Sequence, residues 1–215
     1  MTEYAQTKDT PHLERYRPED LKALIDNHPL AWVCADGLSQ ASLLPLIGLY
    51  DERHRLHALV GHFACRNPLK DAFQNCSSGT FLFTGPQGYI SPSQAGRRNW
   101  GPTWNYAQAR IEVDVSVDPA FTEEAVRLLV SHVEKDKIDP WSVEEMGTRY
   151  ELLMPHIIGF RAKIMDVHAV FKLGQTEDVP TFNAIISNLE NESLKDWMLR
   201  FDPDNRPLKN EHEYV

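Results

Sequence analysis

The stretch Ile111-Glu112-Val113-Asp114-Val115-Ser116-Val117 decides the fold class. Branched apolar residues take every second position and acidic or hydroxyl residues fill the gaps, as in a strand with one face in a core and one in water. The run closes on Asp118-Pro119, an N-cap and first-position pair that opens a helix carrying Ala125, Val126, Leu129, Val130 and Val133 at helical spacing. Asp139-Pro140-Trp141 then breaks the chain, and Ser142-Val143-Glu144-Glu145 forms a capping box for a further helix toward Leu153.

Toward the N-terminus, Pro18-Glu19-Asp20 opens a first helix to about Asn27, with Leu21, Leu24 and Ile25 as its apolar stripe and His28-Pro29 as its stop. Strands follow at 30–35, 41–49 and 55–61, joined by Asp36-Gly37 and by the charged Tyr50-Asp51-Glu52-Arg53-His54, which makes a meander. A short helix is expected on 69–73, then a strand at 80–83 ended by Gly85-Pro86. Toward the C-terminus, two more strands are expected at 157–166 and 168–173, and Pro180 begins a helical pair over 181–201 before a polar tail after Pro203. Six or more strands with inserted helices, lacking regular strand-helix alternation, predict a mainly β protein built on an antiparallel barrel rather than a doubly wound sheet.

Composition narrows the function classes. At 215 residues and 42% hydrophobic content the chain can bury a full core as one domain with helical additions. A net charge of −9 opposes broad attraction to a nucleic acid backbone, and the one adjacent basic pair, Arg97-Arg98, reads as solvated surface or a lid over a ligand. Cys34, Cys65 and Cys76 have no Cys-x-x-Cys spacing, which fits reduced thiols of a cytoplasmic protein. The polar N-terminal segment has no apolar h-region and no stretch is long enough to cross a bilayer, so neither secretion nor membrane insertion is expected. The nine His residues are scattered without a metal-ligand motif, and no dinucleotide or phosphate loop of the glycine-rich kinds is present.

The chemistry concentrates between Gly61 and Tyr106. Asn67-Pro68 signals a helix start, and it places Arg66 beside a helix N-terminus, where free N–H groups favour an anion and a guanidinium offers a fork for phosphate oxygens. The alternative is a turn that caps only its own helix. Ser91 and Ser93 flank Pro92 with hydroxyls that suit a phosphate, a ribityl chain or the turn itself. Trp104, Asn105 and Tyr106 set large amphipathic rings among polar groups, a composition suited to a subunit interface or an aromatic ligand.

Three blocks, Gly61-His62-Phe63-Ala64-Cys65-Arg66-Asn67-Pro68, Gly85-Pro86-Gln87-Gly88-Tyr89-Ile90-Ser91-Pro92-Ser93 and Pro102-Thr103-Trp104-Asn105-Tyr106, together resemble the PaiB-type negative transcriptional regulators. That family is a branch of the FMN-binding split-barrel proteins related to pyridoxamine phosphate oxidase. The resemblance spans roughly residues 16–176 and implies a split-barrel domain there, between a polar segment at 1–15 and a helical extension with a polar tail at 177–215. It further implies a homodimer with FMN at the subunit interface, phosphate contacts from His62, Arg66 and Asn67, further contacts from Ser91, Ser93, Trp104 and Asn105, and flavin-ring contacts from Lys172 and Gln175. A transcriptional or redox-sensing role, and with it DNA as a partner, rests on the resemblance alone. Leu43, Gln94 and Glu177 stand where the family pattern has other residues, and they leave open a cofactor-free scaffold dimer. A flavin-dependent oxidoreductase of unknown substrate is the other alternative, since a flavin carries its own redox chemistry and no residue stands out as catalytic.

Overall fold

The alternating run is the second half of a fifteen-residue strand, β5 (Thr103–Val117), buried at every second residue from Asn105 through Val115. The structure is a computed structural model that describes residues 11–35 and 40–201. The Asp36-Gly37 turn, most of the polar N-terminal segment and the tail after Pro203 lie outside the described residues.

Five further strands, β1 (Leu30–Ala35), β2 (Gln40–Tyr50), β3 (Leu56–Ala64), β4 (Ser78–Ile90) and β6 (Ile157–Lys172), join β5 in a closed barrel ordered β1-β2-β3-β6-β5-β4. The pairs β1–β2, β2–β3, β3–β6 and β1–β4 are antiparallel. Helices α1 (Pro18–Asn27), α2 (Leu69–Asn75), α3 (Thr122–Glu134), α4 (Thr148–Leu153), α5 (Val179–Asn188) and α6 (Glu192–Arg200) fill the connections and the C-terminal part.

Three more strands differ from the sequence expectation. β3 continues three residues past Gly61, which puts His62 inside the ladder opposite Gly159. β4 does not stop at Gly85-Pro86, because both residues are buried and a proline's fixed φ suits extended backbone. The strands expected at 157–166 and 168–173 are one strand, β6, which runs through Asp166-Val167-His168 although Asp166 is of a type that favours turns. The capping box at Ser142 forms as expected, with Glu145 accepting from the Ser142 N–H at 2.8 Å. Its helix is only a 3-10 turn, Val143–Met146, and Gly147 at φ 54° resets the backbone before α4.

The chain packs as two compact units. One holds residues 16–84 and 108–169, and the other 11–15, 85–107 and 170–201 within the described residues. This division follows packing rather than the segments 1–15, 16–176 and 177–215 set out from sequence. The first unit is centred on aromatic rings: Phe63 stacks on Phe160 at 5.1 Å, and Phe81 meets Phe160 edge-on at 6.1 Å. All three are essentially inaccessible, and each such ring contributes about 1.5–3 kcal/mol through burial. Helix α3 packs on β2 and β3. In the second unit Phe171, Trp197 and Phe201 stack in near-parallel planes, with Phe171 to Phe201 at 4.9 Å.

Candidate functional site

The end of β3 and the turn after it carry the first block. Phe63 points into the core, so the strand's alternation sends His62 to the opposite face, where its cross-strand neighbour Gly159 has no side chain. A Cβ on Gly159 would lie 2.5 Å from the Phe121 carbonyl carbon, so the start of α3 sits directly on this glycine. Thr122 Oγ1 accepts from the Gly159 N–H at 3.0 Å and fixes that approach. His62 is half-buried there. Its Nδ1 is shielded from water and finds no hydrogen-bond partner among the described residues. Burial lowers its pKa below the ordinary 6.5, which favours a neutral imidazole with one ring nitrogen unused.

Asn67 acts as the expected cap: its Oδ1 accepts from the Leu69 N–H at 3.0 Å and its Nδ2 donates to Ser42 Oγ at 3.1 Å. The turn is thereby tied both to α2 and to β2. Arg66 is exposed, and its guanidinium makes no hydrogen bond or ion pair among the described residues. Helix α2 is only seven residues long and has Asp71 in its first turn, so its dipole adds little and Arg66 is the main attraction for an anion. Arg66 and Asn67 share the turn that the Asn67 N–H closes onto the Ala64 carbonyl at 2.7 Å, and His62 lies in the strand just before it; a guanidinium and an imidazole are donors of the kind a phosphomonoester takes. Sequence reading identified Arg66 and Asn67 but not Ser42 or Gly159. A lone glycine inside an apolar strand run was the one available signal, since it marks a close backbone approach.

The remaining predicted residues belong to the second unit. Ser91 and Ser93 hydroxyls bond each other at 2.8 Å, and Gln94 Oε1 accepts from the Ser91 N–H at 2.9 Å, so this turn satisfies much of its own polarity. Arg97 is exposed, as a solvated surface residue is expected to be, and it ion-pairs with the equally exposed Asp178 at 2.9 Å and donates to Thr181 Oγ1. Trp100 Nε1 donates to Glu177 at 3.0 Å beside it. Trp104 is 55% exposed and meets Tyr89 edge-on at 6.1 Å, a free aromatic pair on the surface of this unit. Asn105 is buried and donates to Met198 Sδ at 3.4 Å. Lys172 Nζ donates to Thr103 Oγ1 at 2.5 Å. The Gln175 amide is turned inward, donating to the Phe171 carbonyl and accepting from the Leu173 N–H at 2.6 Å. Among the described residues no cluster of His, Cys, Asp and Glu could hold a metal ion, and no helix is long and apolar enough to cross a membrane.

A family profile described as "Putative FMN-binding domain" matches residues 10–166, well over half of the chain. The chain belongs to this FMN-binding family. It is a split-barrel protein of the flavin-binding class, PaiB-like in sequence. The protease synthase and sporulation protein PAI 2 of Bacillus subtilis is 28% identical over 145 residues, covering 66% of this chain and 70% of its own length. Among solved structures, the flavocytochrome Anf3 of Azotobacter vinelandii superposes with a TM-score of 0.54 at 15% identity, covering 85% of this chain and 80% of that one. A conserved protein of Mycobacterium tuberculosis gives 0.50 at 9% identity, with 75% and 89% covered. At these identities the structural likeness speaks for the barrel fold alone.

Proposed function

We propose that the protein is a homodimeric FMN-binding regulator or redox sensor of the PaiB type, with the FMN phosphate held where β3 turns into α2. The observation that carries this reading is the pairing of an unengaged guanidinium on Arg66 with the shielded, partnerless Nδ1 of His62 on the same short segment. A buried polar atom without a partner costs about 1–3 kcal/mol, and a small local movement that brought this nitrogen to a phosphate oxygen would remove that cost. Arg66 binds the phosphate charge, His62 supplies a hydrogen bond from inside the ladder, and Asn67 orients the turn. Bound FMN supplies reversible electron or hydride transfer.

A second copy of the chain is supported by the outer face of the first unit. Trp32 pairs across the ladder with Leu43 on β2 and with Leu82 on β4, and Leu30 stands opposite Pro45. Leu30, Trp32 and Leu43 are 51%, 48% and 45% exposed, a flat apolar row of the kind that marks an interface. The same Leu43 that departs from the family pattern is thus useful on a contact surface.

The test is a visible spectrum and thermal melt of the purified protein with and without FMN. A flavin band that co-purifies or reconstitutes one per chain, with a melting temperature that rises with FMN concentration, supports the reading; FMN at about 100 times Kd adds about 2.7 kcal/mol. A protein that stays colourless and melts unchanged at millimolar FMN refutes it. Consumption of reduced nicotinamide cofactor by the yellow protein would move it to the oxidoreductases.

A further inference from the structure

The turn that carries Arg66 is short of backbone donors. Pro68 has no N–H. The N–H groups of Cys65, Asn67 and Lys70 are engaged by the carbonyls of His156, Ala64 and Asn67, and that of Leu69 by the Asn67 side chain. An anion at this place is therefore held by side chains rather than by the start of α2.

Ser42 brings a second donor from another strand. It lies half-buried on β2, and its Oγ accepts from Asn67 Nδ2 at 3.1 Å. A serine hydroxyl carries one hydrogen of its own besides two acceptor lone pairs. Among the described residues that hydrogen reaches only Asn67 Oδ1, at 3.4 Å, outside the range of about 2.5–3.0 Å for a sound O–H···O bond. The same Oδ1 already accepts from the Leu69 N–H at 3.0 Å, which leaves it a poor second partner. Ser42 is thus fixed through its oxygen while its hydrogen is available, next to the turn that carries Arg66.

We propose that Ser42 is a further phosphate-binding residue, whose hydroxyl donates to an oxygen of the FMN phosphate while its own oxygen accepts from Asn67. The inference rests on the placement of that phosphate beside Arg66, and it adds β2 to the elements that hold it. Bonds from neutral donors to a charged oxygen are among the stronger ones, so Ser42 joins Arg66 in setting the preference for FMN over riboflavin.

The test is flavin fluorescence titration with FMN and with riboflavin on the parent and on Ser42→Ala, Ser42→Thr, Asn67→Ala and the Ser42→Ala/Asn67→Ala pair, each checked for folding by thermal melt. Ser42→Ala should weaken FMN about tenfold, one hydrogen bond to a charged group, and riboflavin by less than about twofold. Ser42→Thr keeps the hydroxyl and should bind FMN within about twofold of the parent. The pair separates contact from positioning: a direct bond leaves a loss specific to FMN when Ser42→Ala is added to Asn67→Ala, whereas a residue that only orients Asn67 adds nothing there. No loss in Ser42→Ala, an equal loss for both flavins, or a loss that vanishes in the Asn67→Ala background overturns the proposal. If Arg66→Ala still lowers FMN affinity selectively in that case, the phosphate placement stands and Ser42 alone is wrong. A parent that binds the two flavins equally, or neither, removes both.

Discussion

Replacing Arg66 by alanine separates a phosphate seat from a turn that merely caps its helix. Because Arg66 is exposed and bonded to nothing among the described residues, its loss costs the fold little, within about 0.5 kcal/mol as for most surface positions. The cost appears in binding. A hydrogen bond to a charged group is worth about 1.5–3 kcal/mol, which is roughly a 10- to 140-fold rise in the Kd of FMN. Solvent exposure places the expected value toward the lower end, about tenfold. Riboflavin has the same ring and ribityl chain without the phosphate, so its affinity should change by less than about twofold. Arg66→Lys keeps the charge but not the fork and should fall between. Flavin fluorescence titrations of the three proteins with both ligands give the result directly. Equal losses for FMN and riboflavin, or no loss for either, would refute the assignment.

Three further outcomes are expected. Gly159→Ala places a methyl group 2.5–2.6 Å from backbone atoms of Phe121 and Thr122, which cannot rotate away, so the urea midpoint should drop by the equivalent of about 1–3 kcal/mol. Asn67→Ala removes a helix cap and the link to Ser42, which should lower thermal stability by about 1–2 kcal/mol, with Ser42→Ala losing less. His62 has its pKa lowered by burial, so below the ordinary 6.5 the unfolded chain takes up a proton that the folded one resists. Stability should therefore fall as pH drops through 6.5, and His62→Gln should flatten that part of a pH-dependent denaturation series.

Much of the barrel could be read from local patterns because its boundaries are marked by side chains with strong local preferences. Pro18 and His28-Pro29 bracket α1, and Asp118 caps the turn before α3 by accepting from the Ala120 N–H at 2.8 Å. The errors fall where long-range pairing outweighs a local stop signal. Pro86 lies within a strand where buried positions occur before and after it, and β6 runs for sixteen residues straight through Asp166, a residue type that favours turns. At the site, Arg66 and Asn67 were legible from their position before a helix. The half-buried setting of His62 was not, since it depends on Gly159 and Thr122, 97 and 60 positions further along the chain in elements with no motif of their own. Asn105 and Gln175 show the converse: both fit a ligand-binding pattern in sequence, yet their amides are engaged within their own unit.

The anchoring of Arg97 to Asp178 and of Trp100 to Glu177 has a practical corollary. Trypsin needs an extended, yielding segment to cut after a basic residue, and Arg97-Arg98 offers two adjacent targets in a loop held at Arg97 itself and at Trp100. Digestion at that dipeptide is therefore a clock for the loosening of the pins, slow in dilute buffer and quicker as added salt weakens the arginine's hold.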